Sequence, residues 1–88
     1  MLRITEITDG GPGVLLRLEG KLRGPWVEEL GRVCSELSRA EPRAISLDLS
    51  AVTFLDEAGT RLLRELMRGG AAVTASRFVA ELLRREDR

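Results

Sequence analysis

The chain contains no histidine and no tyrosine. Histidine is the commonest general base and metal ligand near neutral pH. Its absence removes every Ser–His or Cys–His arrangement and speaks against an enzyme. Cys34 is the single cysteine, so an internal disulfide is excluded and a thiolate-based zinc site lacks ligands. Lys21 is the only lysine, and 14 basic residues balance 14 acidic ones. With zero formal charge and three aromatic residues, the chain has no footprint of nucleic-acid binding. No apolar run approaches the roughly 18 residues that cross a bilayer, and no signal-peptide pattern opens the chain. These absences point to a cytoplasmic protein without membrane insertion, metal or cofactor. Gly20, Gly24 and Gly31 match neither the GxGxxG nor the GxxxxGK[ST] spacing of a phosphate-binding loop.

What is present is an ordinary hydrophobic content of 43% in 88 residues. That suits one domain over 1–88, burying roughly 60–65% of its unfolded surface. The organising stretch is Ile45–Met67. Ile45, Leu47 and Leu49 alternate with Ser46, Asp48 and Ser50, the period of a strand. Leu62, Leu63, Leu66 and Met67 then take helical spacing, and each contributes about 1.5–3 kcal/mol if fully buried. The period changes across Ala51–Gly59, so a strand runs through a loop into a helix of about Gly59–Arg68. In a parallel α/β sheet such a loop lies at the carboxyl edge, where sites are usually built. Asp56 is placed to cap the helix by accepting backbone N–H groups two or three residues on.

The remaining chain fits the same plan. Met1–Thr8 and Val14–Leu18 read as strands joined by the turn-forming Asp9-Gly10-Gly11-Pro12-Gly13, an antiparallel hairpin. After a loop at Gly20–Gly24, Pro25 suits the first position of a helix carrying Trp26, Val27, Leu30, Val33, Cys34 and Leu37 on one face. Gly31 inside it costs about 0.8–1 kcal/mol relative to Ala, which suggests close packing against another backbone. Glu41-Pro42 ends this helix and Gly69-Gly70 ends the next one. Ala71–Ala75 reads as a short parallel strand. Ser76 is placed to cap a last helix with Phe78, Val79, Leu82 and Leu83 inward, before a charged end at Arg84–Arg88. The expected class is α/β, an open mixed sheet of about four strands with about three helices in the order ββαβαβα.

The segment DLSAVTFLDEAGTRLLREL resembles the signature of the STAS domain, found in anti-sigma factor antagonists and sulfate-transporter tails. Leu18-Glu19-Gly20-Lys21-Leu22 is similar to that family's strand-Gly-x-Leu segment. In the antagonists an apolar pair is followed by Asp, two hydroxyl residues, Gly and Leu, and the second hydroxyl residue is phosphorylated. Here Phe54-Leu55 is the apolar pair, Asp56 the acid and Gly59 the glycine. Glu57 and Ala58 occupy the two hydroxyl positions, and Thr60 replaces Leu. The resemblance implies a regulatory protein-interaction module without the usual phosphorylatable residue, Ala58 marking the degenerate position. Its implied partner is an anti-sigma kinase. The alternatives are the ATPase of an ABC-type transporter served by an accessory STAS subunit, or a small anion or nucleotide sensed at the helix N-terminus. A second copy, paired along an uncovered sheet edge, is a further candidate partner.

The implied partner surface is Asp56, Glu57, Ala58, Gly59 and Thr60 with Arg61, Arg64 and Arg68, a row at i, i+3 and i+7 on the outer face of the helix. The plainer reading of that row is a solvated face held by Glu57–Arg61 and Arg61–Glu65 pairs. Asp56 and Glu57 likewise read first as a cap and a first-turn charge. A sharper alternative has Glu57 imitate part of a phosphate's charge. Thr60 reads as buried or capping, and Cys34 as a small buried hydrophobe.

Overall fold

The computed structural model describes residues 1–7, 13–40 and 44–85. The hairpin turn at Asp9–Pro12, the Glu41-Pro42 stop and the last charged residues 86–88 lie outside them. The elements follow the expected order: β1 (Leu2–Ile7), β2 (Gly13–Leu22), α1 (Pro25–Ala40), β3 (Ala44–Leu55), α2 (Glu57–Arg68), β4 (Ala72–Ala75) and α3 (Arg77–Arg85). The sheet order is β1-β2-β3-β4. β1 pairs antiparallel with β2, whereas β2–β3 and β3–β4 are parallel. The two parallel crossovers step in one direction. Right-handed connections therefore lay the helices on a single face of the sheet.

The core sits between that face and the helices. Val14, Leu16, Leu18 and Leu22 of β2 and Ile45, Leu47, Leu49, Val52 and Leu55 of β3 meet Leu30 and Cys34 of α1, Leu63 of α2 and Val79 and Leu83 of α3. The alternate residues of β2 and β3 include Arg17, Glu19, Lys21, Ser46, Asp48 and Ser50 and form a polar opposite face. There Arg17 and Asp48 pair across the strands at 3.5 Å.

Both central strands run further than the period-two pattern indicates: β2 continues to Leu22 and β3 to Leu55. The pairing register between them shifts twice, between Arg17 and Glu19 and again between Gly20 and Lys21. Each irregularity puts β3 one residue out of phase, so after Leu49 the buried positions are Val52 and Leu55. Gly20 lies within β2 rather than in a loop and has φ +110°. A β-carbon there would collide with the Met1 carbonyl oxygen, which accepts the Lys21 amide in extension of the hairpin.

Two inward assignments, Met67 and Phe78, are corrected. Met67 is 44% exposed and Phe78 55% exposed, while Leu62, Leu66 and Leu82 are half-buried and pack against the core as expected. A short helix presents a narrow core stripe, which α3 fills with Val79 and Leu83 at i and i+4. Phe78 lies about 100° round from Val79. Met67 falls in the last turn of α2, on the seam with α3. Gly31 approaches no other backbone; a β-carbon there would lie 3.9 Å from the Leu62 methyls. Ser76 caps α3 as expected, accepting the Val79 amide at 3.2 Å. Gly70 takes the positive φ after α2.

Candidate functional site

The β3–α2 junction is built around Asp56, whose extended backbone (φ −88°, ψ −178°) precedes the first turn of α2. Its Oδ1 accepts the Gly59 amide at 2.7 Å, the capping contact expected from its spacing. The other carboxylate oxygen has a partner that sequence proximity does not show: Oδ2 accepts the Gly24 amide at 3.0 Å, from the loop after β2. Parallel pairing of β2 and β3 brings both strand ends to one edge, which is why residues 32 apart meet. The Asp56 amide donates to the Leu22 carbonyl at 3.2 Å, and its own carbonyl accepts the Thr60 amide at 3.0 Å. One residue thus joins two loops and a helix N-terminus.

These contacts favour the ionised carboxylate. The Gly24 and Gly59 amides, with a smaller contribution from the charge of Arg23, hold the Asp56 carboxyl below the usual aspartate range. The negative charge also complements the positive end of the α2 dipole. Gly59 is required sterically, since a β-carbon there would lie 2.8 Å from the Leu22 carbonyl oxygen and 3.1 Å from Leu22 Cγ. The first turn of α2 therefore rests directly on the end of β2.

Thr60 is buried, 5% exposed, with its hydroxyl donating to the Asp56 carbonyl at 3.0 Å. Glu57 and Ala58 are exposed on the opposite side of this turn, and Arg61 is exposed one turn on. Among the described residues neither the Glu57–Arg61 nor the Arg61–Glu65 ion pair is formed. The arginine row does not stay on one solvated face. Arg64 turns towards α3 and donates to the Leu83 carbonyl, from Nε at 3.0 Å and Nη2 at 2.6 Å. It satisfies a carbonyl in the last turn of α3. Arg68 is exposed at the far end of α2, about 10 Å along the axis from Arg61. The structure accordingly gathers Asp56 to Arg61 at one edge and separates Arg64 and Arg68 from them.

Cys34 is 3% exposed in the α1 stripe, and burial pushes its thiol up. Hollows of about 250 Å³ and 180 Å³ lie on the helix seams, the first lined by Ser38, Glu65, Leu66 and Gly70 and the second by Arg64, Met67, Arg68 and Leu83. No helix among the described residues is long and apolar enough to cross a membrane.

Comparison with solved structures places this architecture among known folds. The anti-sigma factor antagonist SpoIIAA in its unphosphorylated form superposes with a TM-score of 0.68 at 17% identity, covering 91% of this chain and 80% of that one. A crystal structure of Mglu matches with a TM-score of 0.59 at 27% identity over 78% of this chain, and its native form with 0.54 at 24%. This chain spans about a fifth of Mglu, 18% and 22% in the two structures. A comparison with curated protein sequences found no match. The four-stranded sheet with helices in the order ββαβαβα is that of SpoIIAA. The STAS domain model matches residues 3–84, and the chain belongs to the STAS domain family.

Proposed function

We propose that residues 1–88 form a single, non-catalytic regulatory module that acts by docking on a protein partner. The docking surface is the exposed part of the Asp56–Thr60 loop, Glu57 and Ala58, with Arg61 one turn on, and it continues along the outer face of α2 for about 10 Å to the exposed Arg68. Ala58 stands at the position that is phosphorylated in anti-sigma factor antagonists, so the module is not switched there and is controlled through its partner. The observation that carries this reading is the double engagement of the Asp56 carboxylate by Gly24 and Gly59. It fixes the loop in one conformation while leaving Glu57, Ala58 and Arg61 exposed, as a preorganised recognition surface requires. It also counts against an anion sensor, because a carboxylate of the chain already occupies the helix N-terminus. SpoIIAA, an anti-sigma factor antagonist, has a similar fold and supports the regulatory reading.

The test is a crosslinked pull-down from the native host, comparing the parent protein with Arg61→Glu/Arg68→Glu. Arg64 is left intact because it binds α3. The reading expects an ATPase-family kinase to be captured by the parent and lost with the double variant. Loss of a transporter ATPase instead would assign the transport-subunit role. Retention of the same partners by both proteins would refute the surface, and phosphate mapped to Thr60 or another loop residue of the purified protein would refute the absence of switching.

A further inference from the structure

The Asp56 carboxylate reaches beyond the helix it caps. β2 and β3 run parallel and end side by side, Leu22 pairing with Leu55. Both strands therefore lead into helices at the same edge, α1 beginning at Pro25 and α2 at Glu57. The first of these turns is closed by its own backbone. Gly24 has φ +57°, the left-handed region that favours glycine, and the Arg23 and Gly24 carbonyls accept the Trp26 and Val27 amides at 3.2 and 3.0 Å. Asp56 ties this turn to the other loop on either side of Arg23: its amide donates to the Leu22 carbonyl and its Oδ2 accepts the Gly24 amide. The two loops are thus fixed relative to one another.

We infer that Arg23, Gly24 and Pro25 form a second half of the docking surface, that Asp56 is the residue positioning both halves, and that the partner is a folded protein surface contacting the two loops at once. This inference rests on the proposed docking role of the Asp56 loop and extends that surface from α2 across the carboxyl edge to the start of α1. Arg23, Gly24 and Pro25 are exposed, as are Glu57 and Ala58. Space above the first loop is open, since beyond its chain neighbours no atom lies within 4 Å of where a Gly24 β-carbon would sit. Neither sign of charge prevails. Arg23, Arg61 and Glu57 are exposed, and among the described residues none of them is in an ion pair. Such a surface fits a partner that offers both acidic and basic groups, not a polyanion. Two loops locked together suit a partner of fixed shape, because neither has to be ordered on binding.

The test introduces the photocrosslinker p-benzoylphenylalanine singly at positions 25, 58 and 35 of the full chain in the native host. Position 35 is also exposed and lies about 15 Å further along α1 than position 25. Adducts to one protein at 25 and 58, and none to it at 35, are the expected result. An adduct at 58 without one at 25 would overturn the inference and leave the Asp56 loop standing as a docking surface. Absence of any adduct at 58 would remove the docking role itself, and the inference with it. Asp56→Asn then tests the positioning. Asparagine keeps one carbonyl oxygen, enough to cap α2 by accepting the Gly59 amide, and sets an NH2 donor where Gly24 needs an acceptor. Hydrogen exchange should show the Gly24 amide losing protection while Gly59 keeps it, and affinity for the protein crosslinked at position 58 should fall about tenfold. Gly24 protection lost with affinity unchanged would overturn the positioning role.

Discussion

Gly59→Ala and Gly31→Ala are the same substitution inside two helices, and they should change stability in opposite directions. Replacing a helical glycine by alanine is worth about 0.8–1 kcal/mol in propensity. At Gly31 a new β-carbon finds only the Leu62 methyls at 3.9 Å, an ordinary contact, so the variant should gain up to about 1 kcal/mol. At Gly59 the β-carbon would meet the Leu22 carbonyl oxygen at 2.8 Å. That oxygen is backbone in a central strand and also accepts the Asp56 amide. Overpacking costs about 1–3 kcal/mol, and weakening the Asp56–Leu22 hydrogen bond adds about 0.5–1.5 kcal/mol. Subtracting the propensity gain leaves a net loss of about 0.5–3.5 kcal/mol. Urea unfolding of the three proteins reads the difference directly as midpoint shifts at constant slope. A Gly59→Ala protein as stable as its parent would refute the close approach of α2 to β2.

Two other substitutions and one reactivity follow from the same geometry. Asp56→Ala removes the cap and the bridge to Gly24 and should cost about 1–3 kcal/mol by urea unfolding. Because the folded-state pKa of Asp56 is depressed, its ionic contribution is complete above the ordinary aspartate range and fades as pH falls through the lower folded value; the gap between parent and variant should narrow on acid titration. Arg64→Met removes two hydrogen bonds to Leu83 and should cost about 1.5–3 kcal/mol, with hydrogen exchange rising first in α3. Cys34, buried with a raised thiol pKa, should react with a disulfide reagent only as fast as the chain opens, and protection lost without denaturant would contradict its placement.

The fold was legible because its signals are local. Period two at Ile45–Leu49, helical stripes, glycine pairs and capping residues name each element, and the crossover rule orders them. Two kinds of feature were not. The register shifts that carry β3 to Leu55 leave an aperiodic stretch, so Val52–Leu55 reads as loop. Contacts distant in sequence have no local mark: nothing near Arg64 indicates that Leu83 will lie beside it, and Gly24 shows its role only once β2 and β3 are paired. Asp56 and Thr60 were readable from helix-entry chemistry. Phe54 was readable as half of an apolar pair, but its exposure follows from the register.

If the Asp56 edge is the proposed docking surface, a bulky side chain at Ala58 must block it, because Ala58 is exposed there. Affinity of the captured partner should be measured for the parent and Ala58→Trp, alongside thermal unfolding of each. The expected result is a loss of about tenfold or more in affinity with an unchanged unfolding temperature. Unchanged affinity with tryptophan at this position would show that the partner binds elsewhere.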